Sequence, residues 1–185
     1  MFPTLILILG VALWWAAHLF KRLAPGARAK RGEGGRRIVA ITLILSVVLM
    51  IFGYRGASPD FFWGPSPALK GINNLLMLLA FYLFAADGMK TRITRYIRHP
   101  QLTGFSLWTV AHLLVNGNTP SFILFGGLLL WALAEMVVIN QQDRWTPPAG
   151  PFPAKREVMA AVGAVVVLLV VGGIHTLLGY NPFGA

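Results

Sequence analysis

Six apolar runs, separated by loops that are alternately basic and nearly uncharged, constrain this chain more than any other feature. A helix that crosses a bilayer needs about 20 apolar residues, with a range of about 17–25. Runs of that kind cover residues 2–20, 38–54, 69–86, 101–116, 121–140 and 158–178, the fourth being short. Pro100 fits the first turn of the fourth helix, where its missing N–H costs nothing. Asn116-Gly117-Asn118-Thr119-Pro120 reads as a tight turn between the fourth and fifth runs. The predicted fold is all-α, a polytopic bundle of six transmembrane helices forming a single domain over residues 1–185.

Composition agrees. Of the 185 residues, 56% are hydrophobic and 12% charged, whereas a soluble domain carries about 25% charged residues. No cysteine is present, which excludes disulfides, thiolate nucleophiles and sulfur-ligated metal. The net charge of +10 invites a nucleic-acid partner, but the basic residues occupy short loops between apolar runs, as a membrane protein requires. The expected partner is the lipid bilayer, with no nucleic acid.

The loop charges predict the orientation. The first loop holds seven Lys/Arg (Lys21, Arg22, Arg28, Lys30, Arg31, Arg36, Arg37), the third four (Arg92, Arg95, Arg98, Lys90) and the fifth three (Arg144, Lys155, Arg156). Together these are 14 of the 16. The second loop has only Arg55 and Lys70, and the fourth has none. Loops one, three and five therefore face the cytoplasm and both termini face outside. The first run lacks a basic leader segment and a small-residue cleavage site, so it reads as a retained span. Residues 24–35 read as a solvated basic linker near anionic headgroups.

Ionisable groups inside spans are rare and usually functional. Here they fall in two layers. The inner layer contains His18, Asp87, Arg98, His99 and Glu135; the outer contains Asn73, Asn74, His112, Asn116 and His175. All four histidines lie in or at the ends of spans. Helix capping and cross-bundle hydrogen bonds would account for them one at a time. Imidazole is also the commonest neutral metal ligand, and histidines on facing helices hold haem in bundle cores. Trp63 and Trp145 read as interfacial anchors. Trp108 lies one turn before His112, on the same face, as a core residue or the flank of a flat cofactor. Glu135 is expected to pair with Arg98 or His99.

The segment ITRYIRHPQLTGFSLWTVAHLLVNGN resembles the signature of the NnrU family of membrane proteins, which includes the 15-cis-zeta-carotene isomerases. AAHLFKRL, MIFGYRGA and GGIHTLLGYNPF are similar to further family segments, so the resemblance covers most of the chain. Its most specific part is the spacing from Arg-His-Pro to Ala-His. The resemblance implies a multi-pass protein of the bacterial inner membrane that binds haem b. Its axial ligands would be His18 and His112. The implied chemistry is that of an isomerase or an oxidoreductase acting on a small or lipophilic ligand, or a role linked to nitric oxide and denitrification. The isomerases carry a cysteine where this chain has Thr109 and a histidine where it has Tyr54, which favours a more generic NnrU role. Counting 1.5 Å per residue, His18 and His112 differ in depth by roughly 15 Å, whereas His112 and His175 match. His175 is thus the geometric rival to His18.

Two other classes remain. Arg-His-Pro-x-x-x-Gly also resembles membrane methyltransferases, in which Arg98 and His99 would face S-adenosylmethionine. That group's paired glutamates and Tyr-x-x-Tyr are missing here, and His112 would be unexplained. The third class is a non-enzymatic haem-carrying assembly partner. Walker, HExxH, GxSxG and dinucleotide motifs are all lacking, and no catalytic residue is assigned from sequence.

Overall fold

The computed structural model describes residues 1–183. The helices are α1 (Phe2–Leu23), α2 (Pro25–Lys30), α3 (Gly32–Gly56), α4 (Pro67–Met89), α5 (Pro100–Val115), α6 (Thr119–Ser121), α7 (Gly127–Gln142) and α8 (Ala154–Leu177). A π-helical turn, Phe122–Gly126, joins α6 to α7, so Thr119–Gln142 is one continuous helix. Two short strands, β1 (Phe61–Trp63) and β2 (Gly117–Asn118), pair antiparallel.

Among the described residues, five helices are long and apolar enough to cross a membrane: α1, α3, α4, Thr119–Gln142 and α8. The chain is a multi-pass, all-α membrane protein. The fourth of the six expected spans, read as short, is α5, which has 16 residues, or about 24 Å of helix against an apolar thickness of about 30 Å, so the count of six is not exact. The reason is local. Pro100 starts the helix, as expected, and the β1–β2 ribbon closes its other end. Trp63 Nε1 donates to the carbonyls of Leu113 and Leu114 at 3.2 and 3.1 Å. Asn116 Nδ2 donates to the carbonyl of His112 at 2.9 Å. Non-helical backbone is tolerated near a membrane when protein groups satisfy it in this way.

The basic stretch 24–35 is likewise more ordered than a linker. It forms α2 and the first turn of α3, with Arg28 Nη1 donating to the carbonyl of Gly32 at 3.0 Å.

The helices pack in the order α3, α1, α7, α5, α4, α8. Leu7, Val11, Met50 and Leu128 form the core, and Trp14, Trp15, Tyr54, Phe105 and Trp108 pack around it. Polar contacts gather the loops at two ends. At one end Arg22 Nη1 meets Asp143 Oδ2 at 2.7 Å, Gln142 Nε2 donates to the carbonyl of Arg22, and the Arg92 amide donates to Glu157. This end carries the basic loops. At the other, Pro3 lies beside Gly56, the Thr119 amide donates to the Asp60 carbonyl, and Asn74 Nδ2 donates to the Pro182 carbonyl. Both termini thus lie at the end opposite the basic loops.

Candidate functional site

An aromatic wall runs through the bundle, with a histidine at each end. Its α1 part comes from Trp14 and His18, which share a helix face at an interval of four. Their ring centroids are 4.2 Å apart. Trp131 of α7 stands 4.5 Å from His18 and 5.3 Å from Trp14. Phe105 of α5 continues the wall at 5.2 Å from Trp131 and 5.1 Å from Trp108. Trp108 then touches His112 at 4.9 Å, and His112 stacks obliquely on Phe125 at 4.7 Å.

The tautomers follow from the partners. His18 Nδ1 lies 3.0 Å from the Trp14 carbonyl, His112 Nδ1 2.9 Å from that of Trp108, and His175 Nδ1 2.8 Å from that of Val171. A carbonyl only accepts, so each Nδ1 carries the proton and each Nε2 keeps a bare lone pair. This is the arrangement that orients imidazole ligands in metal sites. Among the described residues no three His, Cys, Asp or Glu side chains cluster as a metal site.

The histidines are not all brought together. His18 packs on Trp131 and His112 on Phe125. Those two partners are six residues apart on one helix, a difference in level of about 9 Å. Phe105 and Trp108 fill the interval between the two imidazoles. His175 is exposed on α8, which packs on α4, and among the described contacts it touches neither His18 nor His112.

Arg98 and His99 belong to a different place. Arg98 Nη2 donates to the carbonyls of Asp143 at 2.6 Å and Ile139 at 3.4 Å, holding the last carbonyls of α7. His99 Nε2 lies 2.9 Å from Asn140 Oδ1. The expected Glu135 partnership with either residue is corrected. Their contacts begin at Ile139, one turn beyond Glu135, and extend to Asp143, roughly 12 Å beyond it. Glu135 Oε2 is buried without a hydrogen-bond partner among the described residues, as are Trp14 Nε1 and Trp131 Nε1. Asp87 pairs with Lys90 at 3.4 Å, and Asn73 Nδ2 donates to Asn74 Oδ1 at 3.1 Å.

Sequence reasoning missed Phe105, Phe125 and Trp131 as neighbours of the histidines. The spacing Phe105, Trp108, His112 is a helix-face pattern and was the available signal for the first. Phe125 and Trp131 become neighbours only through the order in which the helices pack. Tyr54, singled out as a departure from the isomerases, places its hydroxyl 2.9 Å from the Oγ of fully buried Ser121.

No curated protein matches the chain, and no solved structure does. The family described as NnrU protein matches residues 6–182, a range that includes every helix just described except the first few residues of α1. The chain belongs to the NnrU family.

Proposed function

We propose that this NnrU protein binds haem b in a bacterial inner membrane, with His112 as the ligand that anchors it. The observation that carries this reading is the state of the imidazoles. His112 has its Nδ1–H committed to the Trp108 carbonyl, leaving Nε2 as a neutral donor inside the bundle. The donor set fits an iron porphyrin: neutral nitrogen ligands, aromatic walls and apolar helices on every side. His175 is the proposed second imidazole, on the match in depth with His112 along the spans. His18 is the partner that family resemblance implies, but it stands on the far side of Phe105 and Trp108.

Bound there, haem would supply a redox-active iron able to interact with a small molecule. The chain's own residues do the rest. Trp108 and Phe125 flank the imidazole of His112 and exclude water from it. The carbonyl of Trp108 holds its ring angle. His175, exposed in the last turn of α8, would leave that side of the site accessible to a lipophilic ligand. The chemistry is redox or isomerase chemistry on a small or lipophilic ligand, of the nitric-oxide or zeta-carotene kind. An S-adenosylmethionine site is the weaker reading, because Arg98 and His99 already direct polar groups to the end of α7.

Absorption spectra of the detergent-purified protein, oxidised and dithionite-reduced, test the proposal. A Soret band with sharp reduced α and β bands is expected, lost in His112→Ala. Loss in His175→Ala with retention in His18→Ala selects the α5–α8 pair. A wild type that stays colourless after haem addition removes the reading. A bis-imidazole iron whose ligands never exchange would mark an electron-transfer protein or a non-enzymatic haem carrier.

A further inference from the structure

A second site lies away from the histidines. Ile8, Ala12, Ala16 and Phe20 recur at every fourth position of α1 and so form one stripe. With Leu23 and, across from them, Ile123 of the π-helical turn, they line an apolar groove of about 710 Å³. The two alanines make its floor. The groove runs along the outside of the bundle and ends at Ala24, where the basic helix α2 begins.

Charge collects at that mouth. Arg31 holds its guanidinium 5.7 Å from the centroid of the Phe20 ring, within cation–π range. Arg31 and its chain neighbour Lys30 are exposed. The acid nearest in the chain, Glu33, is already neutralised by Arg36 at 3.1 Å. Among the described residues Lys30 and Arg31 form no ion pair with a carboxylate. An apolar channel that ends in two uncompensated cations is complementary to a chain with an anionic head.

We propose that the α1 groove binds an anionic phospholipid, an acyl chain lying over Ala12 and Ala16 and the phosphate meeting Lys30 and Arg31. The fit explains why α2 is a folded helix rather than a free linker: Pro25 at its start and the Arg28 contact to Gly32 hold the cations at the membrane surface beside the groove. The site is independent of the haem reading, since no groove residue touches His112 or His175 among the contacts described.

Native mass spectrometry of the delipidated, detergent-solubilised full chain, titrated with phosphatidylglycerol or phosphatidylcholine, tests it. Phosphatidylglycerol should bind more tightly. Each basic residue near a lipid surface contributes about fivefold, so Lys30→Gln and Arg31→Gln together should abolish that preference. Ala16→Phe, which fills the groove, should weaken both lipids while keeping the preference. Equal binding of the two lipids by the wild type overturns the proposal. So does a preference that survives the double substitution. Unchanged lipid binding in Ala16→Phe, with phosphatidylglycerol displaced by inorganic phosphate, would show an ion site without a groove and also overturn it. Groove occupation by a second copy of the chain would appear as a dimer that excludes both lipids, which overturns it as well.

Discussion

The α1–α3 contact gives the sharpest stability prediction. Two glycines, one on each helix, bring the backbones together. A Cβ on Gly10 would stand 2.9 Å from the Met50 amide nitrogen and 3.0 Å from the Ser46 carbonyl oxygen. A Cβ on Gly53 would press still harder, against the backbone N and Cα of fully buried Leu7. Small residues at such crossings let membrane helices gain van der Waals contact that lipid cannot supply. Gly53→Ala forces backbone rather than a flexible side chain to move, an overpacking cost of about 1–3 kcal/mol. The better helix propensity of alanine returns about 1 kcal/mol. The net expectation is a loss of up to about 2 kcal/mol. Gly163→Ala is the internal control. It lies in α8 with nothing within 4 Å of its added Cβ, so only the propensity gain of up to about 1 kcal/mol remains. Thermal or denaturant unfolding in detergent, followed by helical circular dichroism, should move the two variants in opposite directions. Equal stabilisation of both would refute the close approach of α1 and α3.

Three further outcomes follow from single contacts. Tyr54→Phe should cost about 0.6–2 kcal/mol, because it strands the hydroxyl of buried Ser121; Ser121→Ala in that background should recover part of the loss, read in the same unfolding assay. Arg98→Gln should cost about 1.5–3 kcal/mol, as expected for charged hydrogen bonds. It should also raise amide exchange at residues 140–143, where Arg98 now holds the end of α7. Glu135→Gln should not lower the melting temperature, since Glu135 Oε2 has no donor among the described residues; a fall of several degrees would reveal a partner.

The membrane class and most helices are legible in the sequence because lipid imposes length and apolarity on each span. Pro100 was legible as a helix start for a residue-level reason, its missing N–H. The short α5 was legible too, from Pro100 and the turn at residues 116–120. What closes its end was not: β1 is a three-residue strand too short to show a period, and the Trp63 indole reaches it from 50 residues away. The helix inside residues 24–35 was hidden by its charge and glycines, which read as solvated loop. The polar layers were visible because each ionisable residue interrupts an apolar run. Their partners were not. Glu135 with Arg98 is a reasonable pairing by layer, yet the observed partners of Arg98 are backbone carbonyls, which sequence does not distinguish.

The placement of the histidines also says which helix has freedom to complete a site. To bring His18 to His112, α1 would have to slide along its neighbours. Its glycine contact with α3 opposes this, as do the Trp15 indole bonded to the Gly127 carbonyl at 3.0 Å and the Arg22–Asp143 pair. The α8 helix is held differently. It packs chiefly on α4, with Ala160 and Ala164 buried, while Gly172 lies under the Phe183 ring. Its ends are tethered by the Arg92 amide at one side and by Asn74 to Pro182 at the other. In the packing order α8 lies at the end, against α4, whereas α1 lies between α3 and α7. Under the proposed haem reading, His175 on α8 would therefore reach a haem held by His112 at lower cost than His18 on α1. His18, walled in by Trp14 and Trp131, whose indole N–H groups have no partner among the described residues, is left to shape the inner half of the bundle. Spectra that vanish in His18→Ala but persist in His175→Ala would invert that assignment and require α1 to move.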